Sequence, residues 1–171
     1  DSIWYMEIAQ SGYQVRGDIF TKQSSVAFYP LFPYLLKGVG SIVLPSGSGT
    51  QENYLILGLL ITNALFIFAL VVLYKFIIEL LGDHVIASRA VMLLILFPTG
   101  FVYSCFYSES LFLLVSLASF YFAAKQRWWL AGISGLLSVL TRSVGILLMV
   151  PLAVFYMDAI KWQIKKIRWN V

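Results

Sequence analysis

Three charged residues in this chain could do chemistry: Asp1 heads a polar, aromatic segment, and Glu109 and Arg142 each border an apolar run. Asp1 opens the segment Asp-Ser-Ile-Trp-Tyr-Met-Glu-Ile-Ala-Gln-Ser-Gly-Tyr, residues 1–13. Trp4, Tyr5 and Tyr13 in it are of the types that gather where lipid headgroups meet water. Tyr5, Ile8 and Gly12 recur at helical spacing, so a short amphipathic helix is expected after Asp1. A carboxylate held there suits chemistry on a lipid-borne substrate. It also suits the N-cap of the helix, and from spacing alone the cap reading stands first. Glu7 reads as a solvated helix-face charge and Asp18 as a loop residue.

Glu109 follows Ser108 at the start of an apolar helix. Ser108 can cap that helix, and a first-turn carboxylate complements its dipole. An acid at the mouth of a membrane bundle is also a functional candidate by default, because placing it there is costly. Arg142 interrupts an apolar region as Thr141-Arg142-Ser143. It could snorkel from a helix end. Yet the run before it, residues 128–140, is too short to cross a bilayer comfortably, which points to a bend that lines a cavity. A guanidinium in such a place suits a phosphate, which it grips as a fork.

The elements that must position these groups are membrane helices. Of 171 residues, 60% are hydrophobic and 12% charged, and the mean hydropathy is +0.86. A water-soluble core could not hide that much apolar surface, so an all-α polytopic transmembrane bundle is expected. The net charge of +4 comes from basic residues scattered between apolar spans, which suits orientation in a membrane rather than nucleic-acid binding. Cys105 is the one cysteine, which excludes a disulfide framework or a CxxC metal pair within this chain, and it reads as a small buried hydrophobe. HExxH, GxSxG, P-loop and GxGxxG patterns are absent. With no initiator Met or signal-peptide pattern, residue 1 reads as a cut end.

In chain order, residues 14–25 read as a polar loop and residues 28–36 as an aromatic turn. Pro30 and Pro33 forbid a regular helix interior there, although Pro33 could open a helix running along the interface to about Leu44. Residues 45–50 form a flexible link. Spans are expected at 55–74, 85–103, 108–124, 128–140 and 144–160, with a charged loop at 75–84 holding His84, and with Arg89 snorkelling. The organisation is then an extracytoplasmic loop with interfacial helices over 1–53, a bundle over 54–160, and an amphipathic cytoplasmic tail over 161–171. Alternating the spans puts eight basic residues on one side and four on the other, which makes the first side cytoplasmic. The head segment, the Tyr107-Ser108-Glu109-Ser110 turn and Arg142 then share the opposite face.

Four segments together carry a family likeness. They are residues 1–13, Ala27-Phe28-Tyr29-Pro30-Leu31-Phe32-Pro33, Pro98-Thr99 with Tyr107-Ser108-Glu109-Ser110-Leu111-Phe112, and Thr141-Arg142-Ser143-Val144-Gly145. In this order they resemble the PIG-V-type mannosyltransferases, which include the second mannosyltransferase of GPI-anchor assembly and its prokaryotic relatives. The resemblance implies a GT-C fold with its active site on the extracytoplasmic side. It implies a polyprenyl-phosphate sugar donor, such as dolichyl- or undecaprenyl-phosphate mannose, and a lipid-linked or glycan acceptor. Asp1 matches the position of the family's essential Asp in the first outer loop. The family's Ser-Arg-Ser-Asn-Gly-like motif keeps its Arg as Arg142 and has Val144 in place of Asn. The implied mechanism is a single inverting displacement. Asp1 serves as general base, Arg142 stabilises the leaving phosphate, and Glu109 orients sugar or acceptor, with Ser108, Tyr107 and Tyr29 also in the binding site. The aromatic turn at 28–34 lines a lipid or acceptor groove. No cofactor is expected, no metal cluster is visible, and nothing in the sequence requires a divalent ion. The setting is a bacterial or archaeal cell membrane, or the endoplasmic reticulum membrane in a eukaryote.

Two other classes would use the same residues differently. A transporter or flippase for a lipid-linked or amphipathic substrate would bind through Arg142 and Glu109 without making bonds; paired broken helices or inverted repeats would mark it, and the sequence has neither. In a non-catalytic scaffold subunit, Asp1 could be replaced without loss of function.

Overall fold

The computed structural model describes residues 2–13, 25–44 and 50–162, apart from the side chain of Val26. Asp1, the 14–24 part of the polar loop, the link at 45–49 and the tail from 163 lie outside the described residues. Every described element is a helix: α1 (Ser2–Ser11), α2 (Leu31–Val43), α3 (Gln51–Leu81), α4 (His84–Leu96), α5 (Glu109–Ala124), α6 (Trp128–Thr141) and α7 (Met149–Ala159). Short 3-10 turns occupy Ser25–Ala27, Gly100–Ser104 and Ser143–Leu148.

α3 is the spine. Its 31 residues make a rod of about 46 Å, more than the roughly 30 Å of a bilayer's hydrocarbon. Among the described residues it is the one helix long and apolar enough to cross a membrane by itself, and a polytopic bundle is compatible with the rest. Thr50 accepts from the Asn53 N–H to cap its start. The charged segment that reads as a loop at 75–84 is instead the last turns of this helix. Lys75 and Glu79 carry charge, but nothing before Gly82 breaks the backbone. Gly82 takes φ 67°, the left-handed C-cap geometry that glycine adopts freely. Asp83 then accepts from the N–H groups of Val85 and Ile86 and starts α4, so His84 lies in a helix. The Tyr74 hydroxyl meets His84 Nδ1 at 2.9 Å across this corner.

α4 is shorter than the expected span of 85–103. Pro98 pushes Phe97 out of the helical region, to ψ 134°, and the chain continues as the 3-10 turn Gly100–Ser104. Asn63 of α3 donates its side-chain N–H to the Ser104 carbonyl, and Tyr103 stacks on Phe66. α4 therefore runs antiparallel to α3. α5 runs parallel to it: Phe106, just before α5, packs on Gly58, and Lys125, just after it, pairs with Glu79 at 3.5 Å. α6 returns, and α7 runs back until Tyr156 meets Trp128 edge-on at 4.9 Å. Ile160–Trp162 form a turn in which Lys161 and Trp162 take positive φ.

The tightest packing lies at one end, where α1 and α2 roof the bundle. Tyr5, Met6, Ala9, Phe32, Leu36, Leu57, Phe106, Leu111 and Val115 form a continuous buried cluster. Tyr5 sits edge-on to Phe28 and Phe32, with ring centroids 5.3 and 5.0 Å apart, and Phe32 sits edge-on to Phe106 at 5.8 Å. Each such pair adds about 0.5 to 1.5 kcal/mol beyond the area it buries. Tyr5, expected among surface aromatics, is thus a core residue with 7% exposure. Pro33 falls in the first turn of α2, where its missing N–H costs nothing.

Candidate active site

The roofed end holds a polar cleft of about 210 Å³, lined by Tyr5, Ala27, Phe28, Tyr29, Ser108, Glu109, Thr141, Arg142 and Ser143. Four separate stretches of chain supply these side chains, and each is fixed for a local reason.

Glu109 is the first residue of α5, where a carboxylate complements the helix dipole. Phe106 anchors the approach to it. Its ring lies so close over Gly58 that a Cβ there would sit 2.4 Å from ring carbons. The Ser110 hydroxyl bonds back to the Tyr103 carbonyl and closes the turn from the other side. Ser108 stands at the N-cap position but does not cap; its backbone is helical, and its Oγ accepts instead from the Tyr5 hydroxyl at 3.1 Å.

Arg142 ends α6, where the backbone switches abruptly to φ −154° and ψ 145°. The reversal that follows presses Gly145 against α6, and its N–H donates to the Arg142 carbonyl at 2.9 Å. A Cβ on Gly145 would stand 2.5 Å from the backbone of Ser138 and Val139, so only glycine permits this return. The bend turns the guanidinium into the cleft, where Nη1 donates to Glu109 Oε1 at 2.5 Å across 33 residues of sequence. Both side chains line the cleft, Arg142 nearly half-exposed and Glu109 about a quarter exposed. One guanidinium nitrogen is engaged by Glu109, and the remaining N–H donors of the fork stay available to an oxyanion.

The far wall comes from the roof. Tyr13 donates to the Phe28 carbonyl at 2.7 Å and pins the loop bearing Phe28 and Tyr29 to the end of α1, while Trp4 stacks on Phe28 at 5.9 Å. Burial raises the pKa of the Tyr5 phenol, the Ser108 hydrogen bond opposes that, and the charges of Glu109 and Arg142 pull it in opposite directions, with a net rise. The phenol therefore remains a proton donor at neutral pH.

Of the side chains singled out in the sequence, Tyr29, Ser108, Glu109 and Arg142 meet in this cleft. Tyr107 and Tyr34 do not line it, Tyr34 is half-exposed, and Asp1 lies outside the described residues. Sequence reasoning passed over Tyr5 as a site residue, although its helical spacing with Ile8 marked the inward face of α1. Cys105 is half-buried and free. No three His, Cys, Asp or Glu side chains among the described residues are grouped to hold a metal ion.

A larger cleft of about 880 Å³ lies at the other end of the bundle, between α6 and the end of α7, lined by Trp128, Trp129, Ile133, Leu136 and Tyr156 among others. Its one charged lining residue is Arg127. Size favours this cavity, but chemistry favours the smaller one.

An all-helical bundle with an acid and an arginine paired in a cleft at one end defines the class of site. Residues 1–168 match the family Mannosyltransferase (PIG-V), and the chain belongs to that family. It is 26% identical over 106 residues to the GPI mannosyltransferase 2 of Drosophila pseudoobscura pseudoobscura, a match covering 61% of this chain. That alignment spans about a quarter of the relative, 24% of its length. No solved structure matches the chain.

Proposed function

We propose that the cleft is the donor site of a membrane mannosyltransferase that uses a polyprenyl-phosphate sugar on the extracytoplasmic side. The observation that carries this is the meeting of Arg142 with Glu109, Ser108 and Tyr29 in one small polar cleft of an otherwise apolar bundle. Such a volume suits a single sugar ring or a phosphate rather than an extended ligand. The family and the relative's name support mannose as the sugar and a lipid-linked glycan as the acceptor.

The reaction is a single displacement with inversion. An acceptor hydroxyl oxygen bonds to the anomeric carbon as the bond from that carbon to the phosphate oxygen breaks. The hydroxyl proton passes to the Asp1 carboxylate, the role the family likeness gives that residue. The electron pair of the broken bond leaves on the lipid phosphate, where the free edge of the Arg142 fork meets it. Glu109 holds the fork in place and orients the sugar or acceptor. Tyr29 and Phe28 offer aromatic faces at the rim. The spans flanking the cleft cross the membrane in alternation, and the side richer in Lys and Arg faces the cytoplasm.

The test is transfer by the full-length protein in liposomes supplied with polyprenyl-phosphate mannose and a lipid-linked acceptor. Wild type transfers mannose, whereas Asp1→Asn inserts normally, keeps its melting temperature and transfers nothing. Ordinary turnover by Asp1→Asn would return Asp1 to the role of a helix cap.

A further inference from the structure

Tyr5 has no part in the scheme above, yet it is the one buried phenol that lines the cleft. Three aromatic rings hold it: Phe28 and Phe32 edge-on, and Phe106 at 6.5 Å. Its hydroxyl has one hydrogen to give, and the acceptor 3.1 Å away is Ser108 Oγ. A phenol is a far stronger acid than an alcohol, so the phenol donates and the serine accepts.

Ser108 is equally unusual. A serine at the N-cap position ordinarily turns its oxygen onto the first N–H groups of its helix, and this one does not. It is 3% exposed, and the partner the structure gives its hydroxyl among the described residues is Tyr5. With its lone pair engaged by the phenol, the serine hydrogen is left for another acceptor. Ser108 adjoins Glu109 in sequence and lines the same cleft as Arg142.

We infer that Tyr5 is a positioning residue that fixes the Ser108 hydroxyl as a hydrogen-bond donor to an oxygen of the sugar-phosphate donor bound beside Arg142. This rests on the donor-site reading above and adds a neutral donor to the charged fork. The phenol diverts the serine from its helix end and polarises its O–H bond, as successive members of a hydrogen-bonded chain do. Tyr5 itself need not touch substrate. α1 therefore serves the site by delivering a phenol to the buried flank of Ser108.

The experiment is steady-state kinetics on the full-length protein with polyprenyl-phosphate mannose varied, for wild type, Tyr5→Phe, Ser108→Ala, Ser108→Thr and the double variant Tyr5→Phe/Ser108→Ala. Phenylalanine keeps the ring packing and removes only the hydroxyl. Ser108→Ala should raise the donor KM by roughly tenfold to a hundredfold, and Tyr5→Phe by roughly threefold to tenfold. The double variant should match Ser108→Ala within about twofold, because Tyr5 acts through the serine. The acceptor KM should not move, and Ser108→Thr, which keeps the hydroxyl, should recover most of the loss. A purely structural Tyr5 would lower melting temperature and leave the donor KM unchanged. Should Tyr5→Phe unfold, Ser108→Ala against Ser108→Thr still decides whether the hydroxyl meets the donor. Multiplicative losses in the double variant, or a wild-type donor KM in Ser108→Ala, overturn the inference alone. A wild type that transfers nothing from this donor overturns it together with the reading on which it rests.

Discussion

Replacing Arg142 with lysine tests whether the residue recognises a phosphate or merely supplies charge at a helix end. The observed guanidinium makes one contact with Glu109 Oε1, and the side chains of the pair are 43% and 26% exposed. An ion pair that open to solvent adds at most about 1 kcal/mol to stability. In a chain of this size that is a melting shift of roughly 2 to 4 °C. Lysine can still reach a carboxylate, so even that small contribution survives in part. Binding a phosphate while Glu109 stays engaged is different, because it needs a planar group with donors on two edges, and an ammonium offers a point charge. Losing that contact as charge develops on the leaving phosphate should cost about 2 to 4 kcal/mol in the transition state, or roughly a thirtyfold to thousandfold loss of rate. Arg142→Lys is therefore expected to melt within a few degrees of wild type and to fail in turnover, with the loss appearing in kcat/KM for the polyprenyl-phosphate donor. Kinetics with donor and acceptor varied in turn measure this. Near-wild-type values with lysine would mean that the arginine only reaches for water.

Two further outcomes follow from the same geometry. Gly145→Ala must push the reversal off the backbone of Ser138 and Val139; it should cost about 1 to 3 kcal/mol by thermal unfolding and reduce transfer as well, because Arg142 loses its aim. Retained activity would show that the bend tolerates a side chain. A cysteine placed at 46–50 should react with an impermeant reagent from outside the cell, and one at Gln126 should not; the reverse pattern would put the cleft on the cytoplasmic face.

Much of the helical framework was legible because apolar runs bounded by Pro, Gly and charge encode it directly. α5 and α6 fall where residues 108–124 and 128–140 predicted them, and α1 and α2 emerge from spacing and from the proline positions. The end of α3 is not legible as helix because Lys75 and Glu79 resemble a loop by composition, whereas only Gly82 changes the backbone. The opposite holds at Phe97, where hydropathy carries on through a proline that stops the helix. Glu109 and Arg142 could be placed at the same end by alternating spans. Their direct pairing could not, because it depends on how far Gly145 lets the chain fold back on α6. Tyr5 was hidden for a related reason. An aromatic on a short helix reads as an interfacial anchor until Phe28, Phe32 and Phe106, all distant in sequence, close around it.

On the proposed function, donor phosphate binds in the small polar cleft rather than in the larger apolar one at the opposite end of the bundle. A photoactivatable polyprenyl-phosphate analogue, with the reactive group beside the phosphate, can be crosslinked to the full-length protein in liposomes and the labelled peptides sequenced. Label is expected on residues 25–29, 107–112 or 141–145, removed by excess polyprenyl-phosphate mannose. Competed label confined to the wall formed by Trp128, Ile133 and Tyr156 would contradict it.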